Sequence, residues 1–335
     1  MATMDVFNGD AFNTVELTTA LNKVPYKPMW LGQLGIFQPK PVRTETVAIE
    51  KRENVLSLVQ TTARGAPLPQ LRKSERDIRD FRTVRVAKGD RLTASEVQNI
   101  RAFGSESELE QVQTEVMDRM VRLRDDIEVT HENMRLGAIF GVVTDANGEV
   151  IRDWFAEWGI SQPAEIAFEL NKADTDVRGK CNRVVREMSK ASKGAFTQQT
   201  RVYALAGDDF FDKLISHPTV RETYLNWAAA ADLREGAAYS EFTYGGITFV
   251  NYRGMDSGEL SISPSKVKFF PVGARDVFQH AMSPGESFDF VNTPGQPVYS
   301  MLVPDRDRNQ FVDIEDYSYP LYICSRPEVL LRGKV

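Results

Sequence analysis

Apolar side chains recur at spacings of three, four and seven from Leu109 onward, through Val112, Val116, Met120, Leu123, Ile127 and Met134. On a 3.6-residue period these positions form one stripe. The pattern predicts a single helix over Ser105 to Leu136, roughly 45 Å long at ~1.5 Å per residue. Helices in globular domains usually run three to four turns, so this one reads as a rod that organises a flat subunit. SESE, Ser105 to Glu108, has the capping-box pattern at its start, and TASE, Thr93 to Glu96, repeats it before the short helix SEVQNIRAF. Gly137 and Gly141 lie just past the predicted end.

Before the helix the period changes. Val47, Ile49, Val55, Leu58 and Val59 mark one extended limb, and Thr83–Val84–Arg85–Val86 alternates as a strand should. Between them TTARGAPLPQLRKSER is a long loop, of the kind that is usually functional or flexible. Residues Met1 to Pro41 read as an extended arm. Pro25, Pro28, Pro39 and Pro41 break regular structure, yet Tyr26, Met29, Trp30, Leu31, Leu34, Ile36 and Phe37 need a surface to cover. That surface is its own domain's, with a neighbouring subunit's as the further option.

After the rod, Asn147–Gly148 predicts a type I′ hairpin turn. DDFFDKLISHPTVRETYLNW reads as helix, break at Pro218, helix. YGGITFVNYRG reads as strand, residues 282–309 as loop-rich, and YSYPLYICSRPEVLLR as a closing strand. Strands, then a long helix, then mixed elements make an α+β order, not an alternating βαβ one.

The 335 residues, 42% hydrophobic and 26% charged, suffice for one large domain or two of usual size. The longest apolar run, LGAIFGVV, is far short of the roughly 18 residues a membrane span needs. MATMDVFNGDAFN is no signal peptide, so an intracellular origin is expected. Cys181 and Cys324 fit no metal spacing and read as buried thiols.

Charge is uneven. Net charge is −6, and the first 22 residues carry three acids and no base, so no nucleic-acid-binding arm is visible. From Arg64 to Arg91 there are nine bases (Arg64, Arg72, Lys73, Arg76, Arg79, Arg82, Arg85, Lys88 and Arg91) against four acids, a balance of +5. From Ser105 to Leu136 nine acids, among them Glu115, Asp118, Asp125, Asp126 and Glu128, face four bases, a balance of −5. Two independently solvated faces would explain this, and so would pairing between copies. Exposed pairs contribute only ~0–1 kcal/mol each, so their stronger role is to orient docking.

No Walker loop, GxGxxG, GxSxG or HExxH motif occurs. Asp305, Asp307, Asn309, Asp313 and Asp316 match calcium-loop positions, but Gln310 stands where the sharp turn takes glycine, and the run reads as a solvated turn. Asp208 and Asp209, near His217, read as an acidic helix start. With only His131, His217 and His280 in the chain, no catalytic residue, cofactor-binding residue or metal ligand is assigned. A cytosolic enzyme with an atypical site is the competing class, which light scattering would separate from a particle-forming chain.

DRLTASEVQNIRAFGSESELEQV, running into DDIEVTHENMRLGAIFGVVTDANGEVIRDWFAEWG, resembles the lambda-type phage major capsid proteins, the capsid protein E family. YALAGDDFFDKLISHPTVRETYLNW and YPLYICSRPEVLL look like further blocks of it, and the likeness spans roughly Phe7 to Leu331. The resemblance implies the Hong Kong 97-type fold: an N-terminal arm (residues 1–41), an extended loop (42–90), a peripheral domain (91–163) with the rod as its spine helix, an axial domain (164–313) and a return to the peripheral domain (314–335). It implies a structural protein that forms hexamers and pentamers of an icosahedral virion shell in the host cytoplasm, around double-stranded DNA held without sequence-specific contact. A separate scaffold protein and a portal are implied partners, a decoration protein is left open, and no membrane is involved. An encapsulin-like compartment shares the fold and is the alternative shell.

Some relatives crosslink subunits through a Lys–Asn amide. Lys73 is the only lysine near the loop turn here, and arginine forms ion pairs, not that bond. Combined with the charge asymmetry, the resemblance places Arg64, Arg72, Lys73, Arg76, Arg79, Arg82 and Arg85 against Glu115, Asp118, Asp125, Asp126 and Glu128 of the adjacent subunit. Gly137 and Gly141 become candidate hinges for the subunit rotation of maturation.

Overall fold

A computed structural model of the chain describes residues 14–23, 29–52, 76–99, 108–221, 223, 241–252 and 262–335. The helices are α1 (Thr14–Lys23), α2 (Trp30–Gln33), α3 (Ala94–Asn99), α4 (Glu108–Phe140), α5 (Trp154–Glu157), α6 (Val177–Ala191) and α7 (Asp208–Ser216). The first strands are β1 (Gln38–Pro41), β2 (Thr46–Arg52), β3 (Arg76–Arg82), β4 (Val86–Thr93), β5 (Val142–Thr144), β6 (Val150–Asp153), β7 (Ile166–Ala167) and β8 (Arg201–Ala206). The rest are β9 (Glu241–Tyr244), β10 (Ile247–Asn251), β11 (Lys266–Val272), β12 (Phe278–Met282), β13 (Tyr299–Pro304), β14 (Phe311–Ser318), β15 (Pro320–Cys324) and β16 (Leu331–Lys334). They gather into two compact units.

The first unit draws on described residues of Met1–Ile49, Arg79–Arg135 and Gln279–Ile323. Its centre is the stripe of α4: Val112, Val116, Met120, Leu123 and Ile127 pack with Leu17 and Leu21 of α1, Leu92 of β4 and Ile314 of β14. β14 is the middle strand of an antiparallel sheet ordered β13-β14-β4, and every second residue is buried. A second sheet, β1-β12-β15, begins with a parallel pair, Gln38 opposite Gln279. The N-terminal segment is therefore built into its own unit where it is described. The Thr18 hydroxyl donates to the Ser300 carbonyl, and the Ser300 amide donates back. β2 and β3 pair as a two-stranded ribbon, the base of the expected loop. The predicted capping box before α3 forms: the Thr93 amide donates to Glu96 at 2.7 Å and the Glu96 amide donates to Thr93 Oγ1.

The second unit draws on described residues of Glu50–Ile78, Leu136–Phe278 and Cys324–Val335. One six-stranded sheet, β7-β16-β11-β8-β10-β9, carries α6 and α7. Phe168, Phe210, Phe249 and Phe269 fill the layer with Val177, Cys181, Val184 and Met188 of α6. Gly245 and Gly246, at φ +58° and +79°, join β9 to β10 in the two-residue turn that positive φ at both positions allows.

Three details differ from the sequence reading. The long helix continues to Phe140, so Gly137 lies inside its last turn. In the β5–β6 hairpin, Gly148 is left-handed at φ +83° but Asn147 is not. The Gly148 amide donates to Asp145 and the Asp145 amide to Glu149, with a bulge at Val143/Thr144, so a longer loop replaces the predicted type I′ turn. The unit borders also fall elsewhere than at 164 and 314: residues 279–323 cluster with the first unit, and β16 pairs with β11 in the second. Pairings between strands so far apart leave no local mark on the sequence.

Candidate inter-subunit surface and its buried anchor

α4 presents two chemically different faces. Asp118, Asp125 and Asp126 are exposed and Glu115 is half-buried. Part of that acid is answered within the chain: Lys88 meets Asp126 at 2.6 Å, and Arg119 meets Glu115 at 2.7 Å and Asp90 at 3.1 Å. Asp118 and Asp125 have no ion-pair partner among the described residues.

Of the basic set, Arg79 and Arg82 lie on β3, with Arg82 exposed. Arg85 follows β3, meets Glu286 at 3.3 Å and lies over the Tyr317 ring. Arg76 opens β3. Arg64, Arg72 and Lys73 lie outside the described residues. Among the described residues, the basic segment and the acidic face of α4 meet within the chain at Lys88 and Asp126.

Glu128 is placed elsewhere than the sequence reading put it. It is buried, and so are His131, Glu132 and Arg135 one turn on. Arg135 donates to Glu128 and, at 3.2 Å, to Glu132. Glu132 in turn accepts the backbone amides of Leu31 at 2.7 Å and Gly32 at 3.2 Å, which ties α2 to the long helix. Burial raises both carboxyls above their usual range, and Arg135 pulls against that. Burial alone would depress Arg135, but Tyr322, Glu128 and Glu132 outweigh it and hold the guanidinium charged. His280 stacks on Tyr322 at 4.3 Å, and His131 packs edge-on to both. Burial drives His131 well below its ordinary value and His280 down to about 3, so both rings are uncharged at neutral pH.

A second buried acid sits on β14. Asp316 accepts from the Ser300 hydroxyl, and its other oxygen has no hydrogen-bond partner. Burial pushes it up to about 7, against the Ser300 hydroxyl and Arg124, which lower it. The folded chain thus keeps a proton that the unfolded chain releases from pH 3.8 upward. Stability from this group is full below pH 3.8 and is lost as pH rises towards 7. Asp316→Asn removes that loss. We expect the variant to match the natural chain near pH 4 and to exceed it above pH 7 by up to about 4 kcal/mol, at ~1.4 kcal/mol per unit. Urea midpoints across that range check this, and an Asn variant that is weaker at pH 8 would refute it.

The two glycines prove to be close-approach positions. A Cβ on Gly137 would lie 2.8 Å from Val143 Cα, and one on Gly141, at φ +84°, 2.3 Å from the Phe155 ring. Lys268 of β11 donates to the Phe140 carbonyl at 3.2 Å and supplies a cation at the end of α4, whose last turn has none. Burial lowers its pKa to about 8.

The remaining chemistry-bearing residues hold up structure. His217 Nδ1 and Nε2 lie 2.9 Å from Thr219 Oγ1 and the Lys172 carbonyl. Asp208 and Asp209 open α7 as expected, and both cysteines are buried and in no disulfide. Asp305 accepts the amides of Asp307, Arg308 and Gln310 of its own turn. Among the described residues, no group of three His, Cys, Asp or Glu could hold a metal ion, and no helix is long and apolar enough to cross a membrane.

One feature escaped the sequence reading. Phe288, in a short 3-10 turn, is 95% exposed, with Val291 exposed beside it. Phe288 borders a groove of ≈ 320 Å³ lined by Phe290, Tyr299, Met301, Tyr317 and Tyr319. The signal was FDF between SPGES and NTPGQP, apolar residues held in a turn-rich loop.

These surfaces sit in a chain whose residues 13–335 match the family described as phage major capsid protein E. The chain belongs to that family. The major capsid protein of Pseudomonas phage KPP10 is 28% identical over 344 residues, covering 96% of this chain and 97% of its own. That of Salmonella phage Felix O1 is 24% identical over 353 residues, covering 96% and 95%. Among solved structures, a protein assigned to the capsid of an Escherichia coli CFT073 prophage aligns over 96% of this chain and 99% of its own, with a TM-score of 0.54 and 12% identity. At that identity the likeness shows the fold alone, the Hong Kong 97-type capsid fold. The chain is thus the major capsid protein of a phage, as the resemblance of its helix and hairpin blocks implied.

Proposed function

We propose that this capsid protein assembles as hexamers and pentamers, in the host cytoplasm, into an icosahedral virion shell that encloses double-stranded DNA without sequence-specific contact. A separate scaffold protein and a portal serve that assembly. Its role is structural, not catalytic. The ribbon that begins with β2 and β3 lies over the acidic face of the adjacent subunit's long helix. The observation that carries this reading is a mismatch within one unit: Arg82 is exposed on β3, Asp118 and Asp125 are exposed on α4, and none of the three has an ion-pair partner among the described residues.

Reversing Arg76, Arg79 and Arg82 to Glu tests it. Losing three ion pairs between copies, at about 0.5–1 kcal/mol each, weakens each interface roughly tenfold to a hundredfold. We expect light scattering and electron microscopy to show subunits instead of shells at low salt, with partial recovery at high salt as repulsion is screened. Normal shells at low salt would reject the placement.

A further inference from the structure

The second unit carries a charged surface that the assembly reading does not use. α6 holds five bases, Arg178, Lys180, Arg183, Arg186 and Lys190, against one acid, Glu187, in a chain of net charge −6. Its buried side is Val177, Cys181, Val184 and Met188. On the other side Arg178, Asn182, Arg186 and Lys190 are exposed, four residues apart, which sets them roughly 6 Å apart along one line. Two of the five bases are already paired, Lys180 with Glu169 at 2.8 Å and Arg183 with Glu187 at 2.7 Å. Arg178, Arg186 and Lys190 have no carboxylate partner among the described residues.

The stripe borders a notch of ≈ 320 Å³ between α6 and the β9–β10 turn, lined by Arg178, Asn182, Val185, Arg186, Gly245 and Gly246. Gly245 lets the turn approach closely, since a Cβ there would lie 2.6 Å from Cys181 Cβ. At Gly246 nothing lies within 4 Å of that position, so the mouth is open.

We propose that this stripe and notch bind the phosphodiester backbone of nucleic acid. Arg, Lys and Asn side chains and backbone amides are the groups that grip phosphates, and this face offers them. A protein-binding face has an apolar centre depleted of charge; here Val185 is the one large apolar residue at the notch, and it is half-buried. Cations in a row, without a base-reading element, give affinity without sequence preference. The inference rests on the proposed enclosure of DNA for its setting.

The test titrates the purified full-length chain with a labelled mixed-sequence duplex at several salt concentrations, read by fluorescence anisotropy. In R178Q/R186Q/K190Q the dissociation constant should rise at least tenfold at low salt. The slope of log K against log salt should become shallower by about 2–3, close to 0.9 for each phosphate that the variant no longer neutralises. R183Q, whose charge is already spent on Glu187, should bind within about twofold of the natural chain. Unchanged affinity and slope in the triple variant would overturn the proposal. So would normal DNA binding with particles missing in electron microscopy, which would assign the stripe to an acidic surface of a second copy. Failure of the natural chain to form shells would sink the assembly reading and leave the titration standing.

Discussion

Replacing Arg135 with leucine is expected to destabilise the unassembled chain by about 3–5 kcal/mol at pH 8, the loss typical when one partner of a buried ion pair is removed. The guanidinium answers two buried carboxylates, Glu128 and Glu132. Glu132 retains the amides of Leu31 and Gly32, while Glu128 is left beside His131, at 3.7 Å and uncharged at neutral pH. Without Arg135 both carboxyls rise further and take up protons. A folded carboxyl raised above its unfolded value contributes stability at low pH that is lost as pH rises. The gap between variant and natural chain should therefore be small near pH 4 and widen towards pH 8. Urea unfolding at the two pH values measures this, and a pH-independent gap would show that poorer packing, not unpaired charge, is the cause. Because Glu132 also holds α2, limited proteolysis should cut the N-terminal segment faster in the variant.

Gly141→Ala should lose about 2–5 kcal/mol. A left-handed backbone costs a residue with a Cβ roughly 1–2 kcal/mol, and overpacking a core adds ~1–3 kcal/mol. Both apply, since φ is +84° and the new carbon would sit 2.3 Å from the buried Phe155 ring. Adding Phe155→Leu should relieve the overlap but not the strain, which separates the two. If Gly141→Ala unfolds at the same denaturant concentration as the natural chain, the close approach is not a constraint. Either way, alanines at Gly137 and Gly141 are no clean test of a hinge, because both sites are packed against neighbours.

The stripe of α4 was readable because a helix writes its period into adjacent residues: Val112, Val116, Met120, Leu123, Ile127 and Met134 are all buried. The Thr93–Glu96 capping box was readable for the same reason, its partners being three residues apart. Glu128 belongs to an acidic run whose composition suits a solvated face, yet it is buried together with Glu132 and Arg135. Their spacing suits an exposed helix as well as a buried one, and what decides is α2, about a hundred residues earlier, and Tyr322, nearly two hundred later. Of the described acids of that run, Glu128 and Glu132 are buried and Asp118, Asp125 and Asp126 are exposed. Phe288 was missed because composition does not say which apolar residue of a loop is left uncovered.

The Thr18–Ser300 pair joins residues 282 positions apart. At the ~5–20 residues per second of synthesis, the ribosome delivers the second partner roughly 14–56 s after the first. Until β12 to β15 emerge, the apolar side of the long helix has only part of its cover. The apolar stripe of the long helix therefore waits, half covered, for partners such as Val298 and Ile314 from the far end of the chain.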